Sequence, residues 1–194
     1  MLRAKLDALR ETLQREEVKS ISRRYFISNG FDGTLTSIGI TVGSFLSGVE
    51  AGMTVVTVGI GAAIGLSTSG VWSVWEIEKA EKLSDLKKKE DAMFRDLKDS
   101  ELMERMKEAR VVNALMSGLG PLIGILGPVS PFVFAGVFYS MLVATVLSVL
   151  IGVLILFIFG AYMGKVSRRT WYVAGARMGL AGLFVAAINI MLPG

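Results

Sequence analysis

The 194-residue chain is 52% hydrophobic and 20% charged, with a mean hydropathy of +0.56 and a formal net charge of +4. It has no cysteine and no histidine, which excludes disulfides, thiolate and imidazole metal ligands and Ser-His-Asp catalysis, so any metal must be held by carboxylates, Met sulfur or other oxygens. The charges fall in a few blocks instead of being spread as on a soluble surface, which makes the basic balance a matter of membrane topology and not of nucleic-acid binding.

Residues 1–26 are charged and roughly helix-periodic, where a secretory signal would need an apolar core, and they predict a retained amphipathic helix. Residues 27–74 predict two transmembrane helices, at about Ile27 to Val49 and Gly52 to Val74, joined by a tight turn at Gly48, Glu50 and Gly52. Residues 75–112 predict a charged helical hairpin, with a break and cap at Asp99 and Ser100. In residues 113–194, the uncharged run from Val111 to Gly164 is far longer than one crossing of about 30 Å, so it crosses twice. Helix 3 is placed at about Asn113 to Val137, bent at Pro128 and Pro131, and helix 4 at about Met141 to Met163. A basic loop with Lys165, Arg168 and Arg169 leads to helix 5, Trp171 to Met191, whose two leading aromatics suit the interface.

The expected fold is therefore an all-α, multi-pass membrane protein of five transmembrane helices, with a cytoplasmic helical hairpin between helices 2 and 3. Five crossings place all 21 Lys and Arg residues on one side, and the positive-inside rule makes that side, with the amino terminus, cytoplasmic. Small residues four apart (Gly39 and Gly43, Gly61 and Gly65, Gly120 and Gly124, Gly160 and Gly164) predict close helix packing.

Asp32 is the sharpest candidate residue. It lies in the span expected for helix 1, where acids usually face a water-filled cavity and mark an ion or proton path. Thr36, Gly39 and Gly43 continue a polar, small-residue stripe from it. The alternative is an interfacial Asp that caps helix 1. Ser67, Thr68 and Ser69 either line a pathway or bond a neighbouring helix, and Arg177 either snorkels or pairs with Asp32. In the hairpin, Glu76, Glu78 and Glu81 lie on the first arm. Glu101, Glu104 and Glu108 share a face of the second, interleaved with Met103 and Met106. That spacing suits either a divalent-cation site or a solvated face of intrahelical ion pairs, and the near balance of bases favours the latter. No phosphate loop, metalloprotease motif or nucleophile elbow is present, so no enzyme is expected.

Asn29-Gly30-Phe31-Asp32-Gly33-Thr34-Leu35-Thr36 resembles the helix 1 motif of the vacuolar iron transporter family. Gly124 to Phe132, with Pro128 and Pro131, is similar to the paired-proline stretch of that family's helix 3. Phe159 to Lys165 and Arg177-Met178-Gly179 resemble its helix 4 exit and helix 5. The resemblance, to a prokaryotic-type member, implies a homodimer in a plasma membrane that exports ferrous or manganous ions in exchange for protons, with no tightly bound cofactor. It implies a pathway at Asp32, Asn29, Thr36, Ser67 and Ser69, and metal ligands at Asp32, Glu78, Glu81, Glu101, Met103, Glu104 and Glu108. Where the family's helix 2 carries a Met and a Glu, this chain has Leu66 and Gly70, which favours the second reading, a non-transporting membrane scaffold or metal sensor whose hairpin binds a partner.

Overall fold

The computed structural model describes residues 11–94 and 101–191, and among them there are five long helices and no strand. They are α1 (Glu16–Leu46), α2 (Gly52–Met93), α3 (Glu101–Val129), α4 (Met141–Val166) and α5 (Trp171–Met191), with a 3-10 helix at Ser130–Phe134 between α3 and α4. Helical residues 11–14 and a bend at Arg15 precede α1. The expected hairpin break at Asp99 and Ser100 lies outside the described residues.

The helix ends depart from expectation in a consistent way. α1 begins at Glu16, not near Ile27, and α2 continues past Val74 to Met93. A switch from apolar to charged side chains changes what surrounds a helix but leaves its backbone dihedrals alone. With no Gly or Pro at either switch, nothing stops the helix. α2 stops where Phe94 turns to φ 49°, the left-handed conformation that commonly closes a helix. α3 takes in the second arm of the charged segment and ends at Val129, short of Val137, with Pro121 as well as Pro128 inside it. Pro131 restricts the residue before it, and the chain tightens into the 3-10 turn. α4 outlasts Met163 by three residues, while α5 has the expected limits.

α2, α3 with its 3-10 extension, α4 and α5 are each long and apolar enough to cross a bilayer, which makes the chain an integral membrane protein. α1 falls short of that threshold because Asn29, Asp32 and four hydroxyl residues, from Thr34 to Thr41, dilute its apolar half.

The described residues form two compact units. In the first, α1 up to Phe26 and α3 up to Leu119 meet around Val18, Ala109 and Val112, and α2 from Ser67 is tied to α3 through Lys82. In the second, one core gathers Val55, Val56, Ala63, Ile125, Val129, Phe132 and Ala144, and another gathers Ile38, Val42, Leu156 and Ala186.

Glycine sets the distances in the second unit. A Cβ on Gly33 would lie 2.8 Å from Pro121 Cα, and one on Gly124 would lie 2.5 Å from the Gly30 carbonyl oxygen, so α1 and α3 touch backbone to backbone. α4 meets α5 in the same way, since a Cβ on Gly160 would lie 2.5 Å from the Ala174 carbonyl oxygen. Buried hydroxyls are satisfied beside these contacts: Thr34 donates to the Gly30 carbonyl at 2.7 Å, and Ser148 donates to Thr41 Oγ1 at 3.1 Å. The expected glycine pairs divide. Gly124, Gly160 and Gly164 sit in close contacts, whereas Gly61 and Gly65 face open space.

Gly33→Ala must therefore push rigid backbone aside, at an expected cost of about 1–3 kcal/mol. Gly61→Ala meets nothing within 4 Å, and the better helix propensity of Ala, worth about 1 kcal/mol, leaves it neutral or stabilising. Thermal unfolding of the detergent-solubilised variants checks the contrast.

Candidate functional site

In the second unit the site is a face of α1. Gly30, Gly33, Thr34, Ser37, Ile38 and Thr41 are buried, whereas Ser28, Asp32 and Thr36, one helical turn apart, are exposed on the opposite side, with Asn29 half-buried beside them. The glycine contacts fix this rotation. Asp32 does not cap a helix, since α1 begins a full four turns earlier at Glu16. Nor does it pair with Arg177: among the described residues no ion pair joins them. The stripe's next members, Gly39 and Gly43, come within 4 Å of the Asn189 amide as judged from their Cβ positions, so the polar track leads to an α5 side chain. Asn189 itself donates to the Val185 carbonyl at 2.9 Å. Its place in the track was not foreseen, because a lone Asn in an apolar run gives no spacing signal.

In the first unit the polar groups surround a cavity of about 350 Å³ whose lining includes Glu17, Glu78, Glu81 and Asp85, and also Arg15, Lys82, Lys89 and Arg105. Glu78 is only 3% exposed and is held by Lys82 at 3.1 Å and by the Tyr25 hydroxyl, which donates at 3.4 Å. Lys82 also donates to the Met106 carbonyl at 3.2 Å, tying α2 to α3. Ser22 of α1 donates to Asn113 Oδ1 of α3 at 2.7 Å, both buried. Arg110 lies 4.1 Å from the centre of the Trp75 ring.

The expected metal ligands are dispersed among these pairs. Glu101 bonds Arg105 on its own helix, and Glu108 accepts from Thr12 at 3.0 Å and pairs with Arg15 at 3.5 Å. Glu104 is exposed. Met103 does share a small cleft with Glu78 and Met106, but Lys79, Lys82, Lys107 and Arg110 line it too. Among the described residues no three acids come together to hold a metal ion. Ser67 and Ser69 belong to this unit. The Ser67 hydroxyl is buried and lacks a hydrogen-bond partner, and Ser69 is exposed.

Tyr25, Asn113, Glu17 and Asp85 were missing from the sequence reading. One signal was available for the first: Ser22, Tyr25, Asn29, Asp32 and Thr36 are spaced alternately three and four apart, a polar stripe along a single helix.

A sequence model of the VIT family matches residues 73–192. The chain is also 26% identical, over 172 residues and 87% of each chain, to an uncharacterized protein of Methanocaldococcus jannaschii. The Asn29 to Thr36 motif lies before the span that the family model matches.

Burial first, and the Glu78 carboxylate second, raise the Tyr25 phenol above its ordinary value of 10.0, with Arg24 opposing them. A raised acid favours its neutral form in the folded state, so the contribution is fully present below pH 10 and is lost as pH rises through the folded value. Tyr25→Phe is expected to flatten the alkaline fall in thermal midpoint measured between pH 9 and about 11.5. An identical fall in both proteins would remove Tyr25 as its source.

Proposed function

We propose, from the premise that the chain belongs to the VIT family, that it carries ferrous or manganous ions out of the cytoplasm in exchange for protons. Members of this family are membrane transporters of divalent cations and not enzymes, so the family sets the class of activity. The proposal adds the metal, the direction and the coupling. It also takes α1 as a fifth crossing, with the amino terminus and the charged arms cytoplasmic, in the plasma membrane of a prokaryote. Two copies meet along the faces that carry Ser28, Asp32 and Thr36.

The observation that carries this reading is Asp32, an acid on the outer side of a helix whose inner side is closed by glycine contacts. An exposed carboxylate on a membrane helix is costly unless it faces water, an ion or a partner. Asn29, Thr36 and Asn189 provide neutral oxygens along the same track. In the first unit, Glu78, Glu81 and Met103 serve as the collecting end, where an arriving cation competes with Lys82 for Glu78.

A specific observation favours the second reading, a scaffold or sensor. Leu66 is turned into the apolar core beside Ala63 and Ile125, and Gly70 is buried without a side chain, so neither offers a ligand. The two readings part in a flux assay with the intact protein in proteoliposomes under a pH gradient. Manganous ion uptake is expected to exceed that of empty vesicles, and Asp32→Ala is expected to lower it by about tenfold or more, a loss typical of removing a charged ligand. Flux at the level of empty vesicles for both proteins would leave only the scaffold.

A further inference from the structure

A cavity of about 550 Å³ opens at the turn between α4 and α5, lined by Arg168, Arg169 and Arg177 together with Met163, Val173 and Met178. The sequence contains no Asp or Glu after Glu108, and among the described residues no carboxylate pairs with any of the three arginines. Three guanidinium groups that share one cleft repel each other, and an anion relieves that repulsion. We propose that this cleft binds the phosphate headgroup of an anionic phospholipid.

The local fold prepares the place. The turn is closed by the Ser167 amide on the Met163 carbonyl at 3.0 Å and the Arg169 amide on the Gly164 carbonyl at 2.9 Å. Arg168 takes φ 53°, a left-handed conformation that a non-glycine residue adopts only when its surroundings hold it there. Gly160 and Gly164 bring the two helices so close that the two arginines of the turn and Arg177 of α5 share a single opening.

The depth is also right. α4 and α5 are both long and apolar enough to span, so the four residues between them lie at a bilayer surface, where lipid phosphates are. Trp171 stacks edge-on against Phe157 and Tyr172, with ring centres 6.3 and 5.8 Å away, the kind of aromatic anchor that holds a helix end at the interface. Arginine forks match two phosphate oxygens at once, and basic pockets between membrane helices are known headgroup sites. Free phosphate has the same charge chemistry. The apolar wall formed by Met163, Val173 and Met178 favours the lipid, since only a lipid brings hydrocarbon to cover it.

Native mass spectrometry of the intact protein in detergent, with added phosphatidylglycerol, phosphatidylcholine or inorganic phosphate, tests the site. The expected result is selective retention of phosphatidylglycerol, reduced about tenfold in the Arg168→Gln/Arg169→Gln/Arg177→Gln triple variant and more weakly in Arg177→Gln alone, which guards against a triple variant that does not fold. Arg23→Gln/Arg24→Gln, which removes two basic residues of the first unit, should retain the lipid as the wild type does. Equal retention of phosphatidylcholine, undiminished binding by both cleft variants, or equal loss in the Arg23→Gln/Arg24→Gln control would overturn the proposal. Displacement of the lipid by millimolar inorganic phosphate would also overturn it and assign the cleft to a free anion.

Discussion

The membrane part of this protein depends on a contact that exists only because side chains are missing. Helices in hydrocarbon gain little from burying apolar surface against each other, so their association rests on close van der Waals approach and on satisfying every polar group. Gly30, Gly33 and Gly124 let the α1 and α3 backbones meet, with Pro121 filling the gap, and Thr34 closes its hydroxyl onto the Gly30 carbonyl in the same place. That contact admits one rotation of α1. Once it is set, the positions of Ser28, Asp32 and Thr36 on the opposite side follow from helix geometry alone. The acid is thus aimed outward by the close packing behind it.

The charged arms follow a different rule. A carboxylate as buried as Glu78 survives only with partners, and Lys82 and Tyr25 supply them. The same lysine reaches the Met106 carbonyl, so one cation both neutralises an acid and fastens two helices. Elsewhere Glu101 and Glu108 are held by arginines in the same way. An acid-rich segment here is not an electronegative one, and this difference between counting acids and locating their partners separates an ion-pair network from a ready metal cage.

These distinctions decide what could be read in advance. The order of elements, the membrane class and the limits of α5 were legible, because Arg169 and Thr170 interrupt an apolar run just before paired interfacial aromatics. The start of α2 at Gly52 was legible too. The start of α1, the end of α2 and the start of α3 were not, since a change from apolar to charged residues does not interrupt a helical backbone, and the end of α3 was not, since Pro131 tightens the chain into a 3-10 turn. Glycine spacing likewise told which residues share a helix face but not what lies across from it, so Gly61 and Gly124 looked alike in sequence and differ in the fold. For Asp32 the sequence left cap and pathway open. The start of α1 at Glu16 removes the cap. The pairings of Asn113 and Tyr25 were invisible because their partners are more than fifty residues away.

The second unit contains only two acids, Asp32 and Glu50, and Glu50 lies in the turn between α1 and α2. A doubly charged ion resting against Asp32 alone would remain a net cation in a medium of low polarity, where an uncompensated charge costs several kcal/mol or more. Neutral oxygens from Asn29 and Thr36 soften that cost without cancelling the charge. Electroneutrality therefore asks for a second carboxylate at the same spot. On the proposed reading, a single chain, with one acid on that face, would be half of an electrically complete resting place for the ion.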